Sequence, residues 1–201
     1  MRPVQWWVLL CGLFLLSCAS QARAQEVPGE GAHELEFWTA GGHGTNGITS
    51  QTGVWNAGVR YGWVLTAPHG PGFLRGRFEY SIDVMPLFVV FRPDNTTAYG
   101  GALSPVNLKW NFSEHRRVVP YFELSGGGTL TDSTVPQGTS HFNFLTGGAL
   151  GARFIRDKLN LSAEVRFMHI SNSGLAPINP GINTLQLRLG VGFFGGIHHK
   201  G

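Results

Sequence analysis

The chain has 201 residues and a formal net charge of +3, with 13% charged residues, 12% aromatic residues and 29 glycines. Charged residues are about half as frequent as in ordinary soluble domains, while the length suits one domain. No basic patch suggests a nucleic-acid partner, and beyond the first two dozen residues no apolar run approaches the ~18 residues a membrane helix needs.

Residues 1–24 read as a secretory signal peptide: Arg2 gives a basic start, Trp6 to Ser17 is apolar, and Ala22-Arg23-Ala24 fits an A-x-A cleavage site. Lipoprotein processing at Cys18, after Leu15-Leu16-Ser17, is the alternative. Both cysteines, Cys11 and Cys18, lie in this segment, so a mature chain beginning after Ala24 has no disulfide or thiol chemistry. Cleavage removes Arg2 and Arg23 and takes the net charge from +3 to +1.

From residue 25 onward the sequence divides into eight segments of period-two alternation, the pattern of a strand with two unlike faces. Segment 33–42 sets Leu35, Phe37 and Thr39 against Glu34, Glu36 and Trp38. Segment 53–65 sets Trp55, Ala57, Val59, Tyr61, Trp63 and Leu65 against Asn56, Gly58, Arg60 and Gly62, and 74–88 sets Phe78, Tyr80, Ile82 and Val84 against Arg75, Arg77, Glu79, Ser81 and Asp83. In 99–112, Val106, Leu108, Trp110 and Phe112 oppose Asn107, Lys109 and Asn111. In 118–130, Val118, Pro120, Phe122 and Leu124 oppose Tyr121, Glu123 and Ser125. Segment 141–154 has Phe142, Phe144, Leu150, Ala152 and Phe154 opposite Asn143 and Arg153. In 159–172, Leu161, Ala163, Val165 and Phe167 face away from Ser162, Glu164 and Arg166. In 183–194, Leu185, Leu187, Leu189, Val191 and Phe193 face away from Thr184, Gln186 and Arg188.

A soluble sandwich turns the apolar face inward; a transmembrane barrel turns it outward. The polar faces here mix both signs, as a self-neutralising interior must, and the apolar faces are rich in aromatic residues. The last segment ends in Phe193-Phe194. The expected fold is therefore an all-β, eight-stranded antiparallel transmembrane β-barrel of outer-membrane type, a single barrel over 25–201, its interior filled by side chains. With an even strand number both termini lie in the periplasm. Ala67 to Pro71, Ser113 to Arg116 and Arg156 to Lys158 are the expected short turns, and the loops near 43–52, 89–98, 131–140 and 173–182 face outside.

The seventh segment ends in Phe167-Met168-His169-Ile170-Ser171-Asn172-Ser173-Gly174-Leu175. His169 and Ser171 share a strand face at ~6.5–7 Å between Cα atoms, a gap that a nucleophile and its general base can close. The rest of that face is apolar. Asn183 shares parity with Leu185 to Phe193 on the returning strand and projects beside them. A nucleophile, a base and an orienting group are what acyl transfer needs, and Asn172, Asn179 and the Gly174 amide are candidate oxyanion donors.

His169-Ile170-Ser171-Asn172-Ser173-Gly174-Leu175, followed by Asn179-Pro180-Gly181-Ile182, resembles the motif of the lipid A 3-O-deacylase (acyloxyacyl hydrolase) family. The resemblance implies an eight-stranded outer-membrane barrel that hydrolyses the ester-linked 3-hydroxyacyl chain at position 3 of lipid A in lipopolysaccharide, with no cofactor. It implies His169 as base, Ser171 as nucleophile, and Asn172, Gly174 and Asn179 around the oxyanion. It also implies the bacterial outer membrane as location and the barrel-assembly machinery as a partner in biogenesis. The family's best-known member carries a glutamate as third triad residue; here that place is Asn183, which can orient an imidazole but cannot stabilise imidazolium by charge. Glu164 points into the barrel and is a poor substitute.

Two other readings share the fold. A structural or surface barrel without chemistry has no need of His169. An esterase acting on another lipid fits the scarcity of outer-loop cations, among which Arg92 is the obvious one. Gly190 to Gly195 matches G-x-G-x-x-G but has no following helix, and so is no dinucleotide site. His198-His199 reads as a solvated tail, and Glu164, Arg166, Arg77 and Asp83 as an interior charge network.

Overall fold

The computed structural model describes residues 28–45, 47–112, 118–156 and 158–195. The segment read as a signal peptide, the turn at 113–116, Asp157 and His198-His199 lie outside the described residues. Eight strands follow one another: β1 (His33–Gly44), β2 (Gly53–Val64), β3 (Gly76–Phe91), β4 (Thr97–Phe112), β5 (Val118–Thr131), β6 (Phe142–Arg156), β7 (Leu159–Ser171) and β8 (Ile182–Gly195). Each pairs antiparallel with the next, and β8 closes on β1 from His33↔Gly195 to Gly44↔Thr184, giving a closed barrel. No helix among the described residues is long and apolar enough to cross a membrane, which says nothing of strands.

The expected inversion is present on every strand. Leu187 is 55% exposed while Arg188, beside it, is 1% exposed. Leu35, Phe37, Leu108, Phe122, Leu150 and Val165 all point outward, and Glu34, Glu36, Arg60, Lys109, Glu123 and Glu164 are buried inside. Six buried carboxylates meet five buried cations among the described residues. Arg60 joins Asp83 at 2.7 Å and Glu123 at 2.6 Å; Arg153 joins Glu79 at 3.0 Å; Arg166 bridges Glu123 (3.0 Å) and Glu164 (2.9 Å). Arg188 reaches Glu36 at 3.1 Å. Arg77, expected in this network, donates to the Pro28 carbonyl at 2.6 Å near the chain entry. Space for these large side chains comes from interior glycines; a Cβ on Gly190 would collide with the Glu36 carboxylate and Ser162 Oγ.

The interior is layered. Above the charges, Trp38, Met85, Phe88, Val90, Leu145, Met168, Ile170 and Ile182 form an apolar layer. Val135 drops into it from the connection 132–141, and the Arg188 guanidinium lies 4.2 Å over the Trp38 ring where the two layers meet. Alternation alone gives most of this layer, since Trp38, Met85, Leu145, Met168, Ile170 and Ile182 continue the inward parity of their strands; Phe88 and Val90 join it because a register shift in β3 (Met85/Phe88) moves the later residues to the other face.

Three connections differ from expectation. Strands β3 and β4 extend further than their alternation suggests and leave only 92–96 between them. The connection β2–β3 runs over 65–75, longer than the turn expected at 67–71, and includes a 3-10 turn at Gly72–Leu74. The connection β7–β8 covers 172–181.

Removing one member of a buried ion cluster strands its partners in low dielectric. Arg60→Ala is expected to lower barrel stability by about 3–5 kcal/mol, read as the denaturant midpoint of the heat-modifiable band.

Candidate active site

Strands β7 and β8 build the site. Their register pairs Ile170 with Ile182 and His169 with Asn183. Met168, Ile170 and Ile182 are buried in the apolar layer, with Ile170 fully inaccessible. Strand alternation then forces His169, Ser171 and Asn183 outward. The structure thus places the three residues on the exterior wall, next to one end of the barrel.

His169 and Asn183 are in direct contact: Nδ1 of His169 lies 2.6 Å from Oδ1 of Asn183. A carbonyl oxygen only accepts, so Nδ1 is the donor in this contact, and in the neutral imidazole the lone pair then falls on Nε2. The start of β8 is held in turn by Thr45, whose N–H and Oγ1 donate to the Asn183 carbonyl at 2.8 and 3.2 Å. Ser171 follows His169 on the same face, 9% exposed, and its backbone pairs with Phe144 of β6. Glu164 lies inside, bound to Arg166 and Tyr121, and cannot serve the imidazole.

Asn172, Gly174 and Asn179 are knitted to one another. The Asn172 N–H donates to Asn179 Oδ1 (3.1 Å), its Nδ2 donates to the Ile178 carbonyl (2.9 Å), and its Oδ1 accepts the Gly174 N–H (2.9 Å). Ser173 (φ 51°) and Gly174 (φ 84°) are both left-handed, which wraps the chain around the Asn172 side chain. In the structure these residues hold the loop in shape. Asn179 accepts through Oδ1, which leaves its Nδ2 hydrogens on the other side of the amide as donors.

Gly181 belongs to the site, although sequence reasoning did not single it out. It has φ 65°, and a Cβ there would lie 2.9 Å from His169 Cε1 and 3.7 Å from Nε2. The Asn179-Pro180-Gly181 run signals a turn, but not that the turn abuts the imidazole.

On the β6 side of Ser171, beyond its strand partner Phe144, the wall carries an open apolar recess of about 610 Å³. Leu103, Val106, Gly126, Gly128, Phe142 and Phe144 line it. The bulge between Leu103 and Val106 and the absent side chains at Gly126 and Gly128 create the depression. Phe167 of β7 and its partner Leu185 of β8, along which alternation leads one to expect the acyl chains, are exposed on the same outer wall. Among the described residues no group of three or more His, Cys, Asp or Glu could hold a metal ion. Gly190 to Gly195, the dinucleotide-like run, is simply the outgoing half of β8.

The family described as Lipid A 3-O-deacylase (PagL) matches residues 38–192. The crystal structure of the outer membrane enzyme PagL aligns with a TM-score of 0.60 at 18% identity, over 77% of this chain and 97% of that one. Neisserial surface protein A aligns with a TM-score of 0.47 at 15% identity, over 82% and 98% of the two chains. No curated protein sequence matches the chain. With a family match spanning most of β1 to β8 and an eight-stranded outer-membrane barrel to carry it, the chain belongs to the PagL family of lipid A 3-O-deacylases.

Proposed function

We propose that this barrel is an outer-membrane esterase that removes the ester-linked 3-hydroxyacyl chain at position 3 of lipid A, with Ser171 as nucleophile and His169 as base. The observation that carries the reading is the 2.6 Å contact between His169 Nδ1 and Asn183 Oδ1 on a lipid-facing wall, next to a serine of the same face. It leaves Nε2 as the basic nitrogen.

In the first half-reaction Ser171 Oγ attacks the ester carbonyl while Nε2 of His169 takes its proton. The tetrahedral oxyanion is stabilised by donors of the 172–181 loop, among them Nδ2 of Asn179, whose amide is held through Oδ1 by the Asn172 N–H. Asn172 and Gly174 act by holding that loop closed around it. Collapse expels the sugar 3-oxygen, which takes the proton from His169, and leaves an acyl-Ser171 ester. Water then attacks this ester with His169 again as base, releasing the 3-hydroxy fatty acid and restoring Ser171. No cofactor enters these steps. The recess bordered by Phe144, the strand partner of Ser171, and floored by Gly126 and Gly128 supplies an apolar seat for the acyl chain. The site then works at the outer leaflet, where lipopolysaccharide resides. Arg92 donates to Ser133 across two loops, so it contributes to loop structure as well as to charge.

Mass spectrometry of lipid A incubated with the refolded mature protein tests the reading. Loss of one 3-hydroxyacyl mass is expected with the native protein and not with Ser171→Ala. An unchanged spectrum from a heat-modifiable native barrel would instead favour a barrel without chemistry, and fatty acid release from phospholipid alone would favour an esterase of other substrate.

Asn183 fixes the imidazole tautomer but adds no charge to stabilise imidazolium. Asn183→Glu is therefore expected to raise turnover roughly tenfold, and Asn183→Ala to lower it by about 10², within the usual range of general-base contributions. An Asn183→Ala variant as fast as the native protein would remove Asn183 from the site.

Gly181→Ala is expected to push the imidazole aside and cut turnover by about 10², as ångström-scale misplacement does, while the barrel still shows its heat-modifiable shift. Gly138→Ala is the matched control: Gly138 has φ 77° but only open space around its Cβ direction, so activity should persist.

A further inference from the structure

The connection 65–75 carries no charged residue from Leu65 to Leu74. It is also well ordered by its own bonds. Leu65 N–H donates to the Phe78 carbonyl at 2.9 Å, and His69 and Gly76 exchange both backbone bonds at 2.9 Å, so the β2–β3 ladder continues past the barrel rim. Beyond that bridge the tip closes on itself, Leu74 N–H on Pro71 and Arg75 N–H on Gly72, each at 3.1 Å.

Two contacts decide where this tip lies. Trp110 Nε1 donates to the Leu74 carbonyl at 3.2 Å, and the His69 ring meets the Trp110 ring edge-on at 4.9 Å. Trp110 projects from the outer face of β4, since Lys109 and Asn111 on either side of it are buried inside. The tip is therefore folded along the exterior wall and does not cap the barrel mouth. There it adjoins an aromatic belt: Trp63 stacks on Tyr80 at 5.6 Å and meets Tyr61 edge-on at 4.7 Å, with His33 against both Tyr61 and Trp63. Amphipathic aromatic rings of this kind mark the level where hydrocarbon gives way to headgroups.

On that rigid tip Phe73 is 87% exposed and Leu74 46%. Phe73 is the most exposed large apolar side chain among the described residues, and with Leu74 it extends the apolar wall into one continuous surface, which calls for an occupant. Continuity with the lipid-facing wall and its belt identifies that occupant as the bilayer. We propose that residues 70–75 are a membrane-interface foot, with Phe73 and Leu74 inserted among lipid chains beside the aromatic belt, at the end of the barrel opposite His169. The foot fixes the barrel's depth in the membrane from that end and is independent of the chemistry proposed for Ser171.

The test uses the absence of cysteine after Cys18. Phe73→Cys and, separately, Asp94→Cys in the exposed connection 92–96 are labelled with an environment-sensitive fluorophore. The refolded barrels are placed in phosphatidylcholine–phosphatidylglycerol vesicles, with the heat-modifiable band as the check on folding. Leu74→Cys serves as a second position on the foot. Labels at 73 and 74 are expected to emit to the blue of the label at 94, to be quenched by brominated lipid and to be shielded from iodide several-fold better. A label at 73 that iodide quenches as readily as the one at 94 would overturn the proposal. Shielding from iodide without quenching by brominated lipid would overturn it too, and would point to a second copy of the chain as the occupant.

Discussion

The interior ion network is the constraint from which the rest of the structure follows. In a membrane barrel both faces of every strand could in principle be apolar, and a one-residue slip in register would then cost little. Here a slip of β2, for instance, would carry Arg60 from its carboxylates, Asp83 and Glu123, into hydrocarbon. Charges in lipid cost several kcal/mol each at the midplane. The buried charges therefore define inside and outside on each strand, and the near balance of carboxylates and cations lets them be enclosed together. Gly151 and Gly190 complete the arrangement by making room for side chains that an eight-stranded lumen would otherwise exclude.

The same parity carries through to the site. Because Arg166 and Arg188 face in, His169 and Asn183 must face out, provided the alternation survives to the strand ends. The apolar layer sees to that. Met168, Ile170 and Ile182 continue the inward face past the last charges, where ionic specification has run out. An outward face carrying His169, Ser171 and Asn183 above a charged lumen thus needs two kinds of inward residue, ionic in the middle and aliphatic near the end. The recess bordered by Phe142 and Phe144 has a comparable origin: a bulge and two outward glycines remove side chains from a wall that is elsewhere studded with aliphatic residues.

Most of this was legible in the sequence because period-two alternation is a local property. The segments around Trp55 to Leu65 or Leu185 to Phe193 declare both faces without reference to any partner strand. What was not legible depends on long-range contact. The inward turn of Phe88 and Val90 follows a register shift against the neighbouring strand, which no run of single residues announces. The 65–75 connection reads as a turn from its prolines and glycines, yet its course over the wall is set by Trp110, far along the chain. At the site, the pairing of His169 with Asn183 followed from parity and chain return. The bracing of Asn172 by Asn179 and the approach of Gly181 to the imidazole arise only once the loop has closed, so they left no signal beyond a run of turn-forming residues.

The Asn183 carboxamide separates two functions that a carboxylate performs together. One is geometric: an oxygen acceptor on Nδ1 holds the imidazole in the tautomer whose Nε2 is free to take a proton. Asn183 does this at 2.6 Å. The other is electrostatic: a negative charge favours the imidazolium that forms as the nucleophile is deprotonated. An amide contributes only its dipole to that step. It also avoids placing an ionised carboxylate on the lipid-facing wall, where desolvation would raise its energy and weaken the advantage of the charge. For a site on the outside of a barrel the balance between these effects depends on depth. Thr45 donates twice to the Asn183 carbonyl, and residues 173–175 and 177–180 of the following connection are exposed, so the residues lie toward the interfacial zone rather than in hydrocarbon. At that depth the geometric function is retained in full by the amide, and the electrostatic one is the part that water and headgroups can partly supply.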